Sequence, residues 1–161
     1  MSAAIRIWTC AAYHPAFRCG GWASVRLVDG QVSGAAGGER YTTIGRMALA
    51  GLAWALRDLP ASAAPLAVGV RTASPELAAV SRRLAAPDKA AEAPDEDLDL
   101  WAQILAAASG RRLSIDISSP KPGDPLAFAA AWAELGRDKA KATGTFTAAI
   151  PKANLAKLAL G

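Results

Sequence analysis

The stretch from Gly37 to Leu56 reads GGERYTTIGRMALAGLAWAL. A polar strand end, Glu39 to Thr43, runs into a segment whose apolar residues Leu49, Leu52, Ala53, Leu56 and Leu59 recur at helical spacing. The chain therefore turns from strand to helix here, and the flanking segments are assigned around that junction. Upstream, Ile5 to Tyr13 is rich in β-branched and aromatic residues and reads as a strand. Gly20 to Val28 alternates Ala23, Val25 and Leu27 with Ser24 and Arg26, the period of a half-buried strand. Asp29-Gly30 is a two-residue hairpin signal that returns Gln31 to Thr42 antiparallel beside it.

Downstream, a helix at about 44–59 is followed by the breaker-rich loop 60–65 and a short apolar strand, 65–72. A helix at 75–85 follows, with Pro75 tolerated in its first turn. The segment APDKAAEAPDED, 86–97, reads as a solvated linker whose acidic end suits the positive terminus of the next helix, 98–108. Arg112 to Ser118 alternates Leu113, Ile115 and Ile117 with polar residues and gives a fifth strand, and 126–142 is a long alanine-rich helix. The expected fold is α/β: a mixed five-stranded sheet, a three-stranded antiparallel meander plus two parallel strands, covered by helices. It occupies one domain, residues 1–142, with a tail at 143–161 that holds a strand-like piece around Phe146 and an amphipathic turn at 154–160. That tail is a candidate interaction or dimer-forming arm.

Composition agrees with a globular domain. Of 161 residues, 52% are apolar and 20% charged, which excludes disorder, and the length is enough to bury a core. A net charge of +4 is compatible with a polyanion partner but does not require one. No run approaches the ~18 apolar residues of a membrane span, and Cys10 and Cys19 form no disulfide framework. A reduced, cytoplasmic protein without a membrane partner is expected.

Four pieces of the chain, in order, resemble the ribonuclease H family. GGERYTTIGRM has the frame of that family's GGE-R-x-T-T-N-N-R-M-E, and WTCAAYHPAFRCGGWA has the length of its first hairpin, keeping Pro15, Gly20 and Gly21. VRTAS stands where the family has a strand ending T-D-S, and DPLAFAAAWAE where it has N-P-x-N-E-R-A-D-x-L-A. The resemblance implies a metal-dependent phosphodiesterase scaffold in which converging carboxylates hold two Mg²⁺ or Mn²⁺ ions. The four acid positions, however, fall on Cys10, Ala48, Ala73 and Ala131. The implied protein holds no such metal and is a pseudoenzyme that binds an RNA/DNA hybrid or structured RNA without cleaving it.

The resemblance points to Arg18, Gly20, Gly21, Thr43 and Arg46 as nucleic-acid-binding residues. Each has a plain structural alternative: Arg46 can pair with a nearby acid, and the two glycines can be small residues that a strand start needs. Ile44 and Gly45 stand in place of the family's two asparagines, which removes side chains that would read the groove. Glu39, Asp116 and Asp124 are the nearby acids from which a relocated metal site would have to be built, and Cys10, His14 and Cys19 are too few for a usual zinc knuckle. The five tryptophans read as core. A protein-interaction module or dimerising scaffold is the second reading, and residual nuclease activity the third. Clustering of Arg18, Arg40, Arg46, Arg111 and Arg112 on one face would separate a phosphate track from scattered solubility charge.

Overall fold

The computed structural model describes residues 4–61, 64–158 and 160. Parts of the expected loop at 60–65 and of the turn at 154–160 lie outside those residues. The strands are β1 (Ile5–His14), β2 (Cys19–Val28), β3 (Gln31–Arg40), β4 (Leu66–Thr72), β5 (Arg111–Ile117) and β6 (Phe146–Ala149). The helices are α1 (Ile44–Leu56), α2 (Ala78–Ala85), α3 (Leu98–Ala108), α4 (Pro125–Thr143) and α5 (Lys152–Leu155). The sheet order is β5-β4-β1-β2-β3-β6, with β1–β2, β2–β3 and β3–β6 antiparallel and β1–β4 and β4–β5 parallel.

The sheet thus has six strands rather than the five expected. The extra one, β6, comes from the segment read as a tail: Ala35 to Gly38 of β3 pair with Phe146 to Ala149, and Ile150 and Leu155 are buried beyond them. Four residues alternate too briefly for periodicity to show a strand, and β3 supplies the pairing. This part of the segment is occupied within the chain's own sheet and core, not held out as a free arm.

The β2–β3 turn forms as Asp29-Gly30 dictates, with φ of 50° and 76° at the two residues. Alternation along β1 sends Ile5 and Ile7 to a core under α1 and α3, with Leu52, Leu56, Leu100, Trp101 and Ile104. Trp8 and Cys10 go to the opposite core under α4, with Leu126, Ala129, Ala133, Ile150 and Leu155. On the α1 side, the Ser24 hydroxyl donates to the Gly51 carbonyl at 2.7 Å and shares a 2.7 Å bond with the Thr9 hydroxyl. All three groups are buried, so the pairing spares the cost of leaving polar atoms dry and unmatched.

Helix α4 is seated differently. Its sheet-facing residues, Leu126, Ala129, Ala133, Gly136 and Ala140, form a stripe of mostly small side chains at spacings of three and four. A Cβ on Gly21 would lie 2.2 Å from the Arg137 amide nitrogen and 2.3 Å from the Ala133 carbonyl oxygen. One on Gly136 would lie 2.4 Å from the Gly37 carbonyl oxygen, and one on Gly38 2.6 Å from the Gly136 carbonyl oxygen. Helix backbone therefore lies directly on strand backbone. Gly21→Ala or Gly136→Ala should each lower stability by about 3 kcal/mol, since the obstructing atoms are main chain and cannot swing aside. Gly45→Ala, in the first turn of α1 with nothing closer than 4.0 Å, should be neutral or slightly stabilising. Urea denaturation of the three variants checks the contrast.

Candidate nucleic-acid interface

Of the residues assigned to ligand approach by resemblance, the structure gives several a different task. Gly21 is the seat of α4, and a Cβ on Gly20 would meet Met47 at 2.6 Å and Thr42 at 3.0 Å under α1. Both glycines are required by packing. Thr43 is the N-cap of α1, its exposed hydroxyl oxygen accepting from the Arg46 amide at 3.0 Å. Arg46 is held by three acids: Nε donates to Glu39 at 3.0 Å, Nη1 to Asp97 and Asp99 at 3.1 Å, and Nη2 to Asp99 at 2.9 Å. The segment read as a solvated linker ends in this clasp, with Asp97 in the left-handed region at φ 54°. The Asp99 hydrogen bonds raise the Arg46 pKa above the ordinary guanidinium value, and Arg46 in turn lowers that of Asp99.

The remaining arginines do not form one track. Arg40 donates to the carbonyls of Ala140, Lys141 and Ala142 at the end of α4. Arg111 donates to Ala107 at the end of α3 and to Leu59 and Pro60. Arg26 does the same for α1 through Ala55 and Arg57. Each guanidinium meets unpaired carbonyls at the negative end of a helix. Arg18 and Arg40 lie at the β1–β2 turn end of the sheet, whereas Arg111 and Arg112 begin β5 at the other end.

The four positions to which the sequence resemblance assigns acids divide between the two faces. Cys10 and Ala73 meet on the α4 side, Ala48 is buried in the α1 core, and Ala131 is exposed off the buried stripe of α4. Cys10 donates through Sγ to the Leu126 carbonyl at 3.4 Å. Burial pushes its thiol pKa up to about 11, with the nearby Asp124 charge adding to the rise against a hydrogen bond with the Ala73 backbone. His14 and Cys19 face each other across the first hairpin, four residues along the strand from Cys10, and both cysteines are buried and free.

Beside Cys10 and Ala73 stands a residue that the sequence reading passed over. Arg71 of β4 donates through Nη2 to Ser118 Oγ at 3.2 Å and to Asp124 Oδ2 at 3.4 Å. Its Nε and Nη1 have no protein partner among the described residues, and its side chain is 37% exposed. Asp124 also caps α4, accepting from the Leu126 amide at 3.0 Å. The signal was in the sequence: Arg71 lies two residues before Ala73 in VRTAS, where strand alternation puts both on one face. A groove of about 720 Å³ lies elsewhere, by the β2–β3 turn, where Arg26 and Lys152 alternate with Asp29 and Asp58 and no single charge prevails.

With this geometry in view, the likeness to known structures is informative. The chain has a ribonuclease H-like fold. It superposes on the N-terminal RNase H domain of a Mycobacterium tuberculosis protein with a TM-score of 0.61 at 19% identity, covering 88% of this chain and 99% of that one. LC9-RNase H1, described as a type 1 enzyme with the type 2 active-site motif, matches with a TM-score of 0.64 at 15% identity, over 97% of this chain and 81% of that one. LC11-RNase H1, solved with an RNA/DNA hybrid, matches with a TM-score of 0.61 at 20% identity, over 84% and 98%. No family model and no curated protein matches the sequence. No helix among the described residues is long and apolar enough to cross a membrane.

Two outcomes follow from these local environments. Replacing Arg46 by Met leaves Glu39, Asp97 and Asp99 facing one another without a cation, and should cost about 1–3 kcal/mol in urea denaturation at pH 7. The Asp99 part of that loss should shrink only as pH falls below its ordinary value of 3.8, because a carboxylate with a lowered folded pKa stabilises above the unfolded value. For Cys10 the sign is opposite. A thiol raised from 9.0 to about 11 favours folding fully below pH 9, and that contribution disappears as pH rises to about 11. Cys10→Ala should accordingly flatten the fall in urea midpoint between those two pH values.

Proposed function

We propose that this chain binds nucleic acid through its phosphate backbone and does not cut it. The observation that carries the reading is Arg71 beside Cys10 and Ala73: a partly exposed guanidinium with two uncommitted donor groups, where alanine and a protonated thiol stand at the family's acid positions. A guanidinium neutralises a phosphate and fixes it by hydrogen bonds. It does not activate a water, and neither a methyl group nor a neutral thiol supplies the oxygen ligands that hold Mg²⁺ or Mn²⁺. The hybrid and double-stranded DNA seen with structural neighbours of this fold make a nucleic-acid duplex the first ligand to try.

A second reading, a protein-interaction module, is favoured by one specific observation. Arg40, Arg46 and Arg111, three of the five arginines from which a phosphate track would be built, are bound to the chain's own carbonyls and carboxylates.

Fluorescence anisotropy of a labelled RNA/DNA hybrid, with duplex DNA as control and Mg²⁺ present, separates the readings. Binding should weaken steeply between about 50 and 200 mM salt while the label stays intact. Arg71→Ala should lower affinity and reduce the salt slope by about one. Absence of binding at micromolar protein and low salt would leave the protein-interaction reading, and cleavage of the hybrid would refute the non-cutting assignment.

A further inference from the structure

The turn between β1 and β2 and the junction between β3 and α1 meet at one end of the sheet, and both are strained. Arg18 and Tyr41 each hold φ at 52°, a left-handed conformation that bulky side chains rarely adopt and that asparagine or glycine would adopt more readily. The two turns are tied together by the Thr42 amide, which donates to the Arg18 carbonyl at 3.0 Å. The strained backbone leaves Tyr41 86% exposed, beside Phe17 at 53%. These two large aromatic side chains line one exposed hollow and make no contribution to the core, so the strain has no packing return.

A cation adjoins the Phe17 ring. The Lys141 ammonium sits 3.6 Å from the ring centre, and His14 packs against the same ring with centroids 4.7 Å apart. Phe17, Cys19, Arg40, Tyr41 and Lys141 line a shallow hollow that contains no acid. Arg40 is bound to α4 carbonyls, so Lys141 is the lining cation left to a ligand, and the exposed Arg18 follows Phe17 in the same turn. A ligand matched to this surface is anionic and carries a flat, exposed π face.

We propose that Phe17, Arg18, Tyr41 and Lys141 form a stacking seat for unpaired nucleotides. The proposal rests on the reading that the chain binds nucleic acid, and it names which form. Bases within a duplex are stacked on one another and cannot reach a protein ring, whereas an unpaired base stacks on an aromatic side chain while its phosphate meets a cation. The sugar is not selected by stacking, so RNA and DNA strands are separate arms of the test.

The test measures anisotropy of labelled single-stranded RNA, single-stranded DNA, blunt duplex DNA and blunt RNA/DNA hybrid of equal length. The wild-type chain should bind at least one single strand more tightly than either blunt duplex. Tyr41→Asn removes the ring while suiting the left-handed backbone, so folding is preserved. It should weaken single-strand binding about fivefold or more and leave duplex affinity unchanged, with Tyr41→Trp restoring it. If the wild type binds the duplexes but shows no single-strand preference, or if Tyr41→Asn binds single strands as the wild type does, the stacking seat is wrong while nucleic-acid binding stands. If nothing binds, both fall.

Discussion

Direct contact between the backbone of α4 and the backbones of β2 and β3 is the constraint on which this structure turns. No side chain fits between Gly21, Gly38 and Gly136, so the helix approaches more closely than ordinary side-chain packing would permit. That closeness explains why the buried stripe of α4 is alanine and glycine after Leu126. It also brings the end of α4 within reach of Arg40, which meets the last carbonyls from the neighbouring strand. Trp22 of β2 lies on the α1 side with Met47, where Gly37 leaves room for the indole ring.

The same economy governs charge. Arg26, Arg40 and Arg111 each close a helix C-terminus, and Arg46 ties the starts of α1 and α3 to the end of β3 through three acids. These cations are engaged with carbonyls and carboxylates of the chain itself, so the formal charge of +4 does not tell how many guanidinium groups can meet a ligand in contact. Arg71 beside Cys10 on one surface and Lys141 against the exposed Phe17 ring on another are more open to one.

Most of the fold was legible because its signals are local. Period-two alternation in 20–28 and 112–118, the Asp29-Gly30 turn and the helical stripe after Thr43 each depend on neighbouring residues; the strands formed within a residue or two of their expected bounds, and the helix began where expected and ended three residues early. The strand-like piece around Phe146 was left out of the expected sheet because β6 belongs to it through pairing with β3, a partner more than a hundred residues away. The site was less legible for a related reason. Resemblance assigned the glycines, Thr43 and Arg46 to ligand approach, whereas their occupation by α4, by the α1 N-terminus and by Asp97 and Asp99 depends on tertiary contacts. Arg71 and Tyr41 matched no motif, and only the folded chain reveals one as partly uncommitted and the other as exposed.

The short strand β6 has a colloidal consequence. Without it, β3 would be the margin of the sheet, and its central run Gly34-Ala35-Ala36-Gly37-Gly38 bears no charge and no bulky side chain to repel a neighbour. A flat, uncharged margin with free amide and carbonyl groups is a template on which a second molecule can add a strand. By pairing with four of those five residues, β6 replaces that margin with one only four residues long, and Pro151 follows just beyond it. The pairing that covers this margin comes from a segment outside the hydrophobic core under α1.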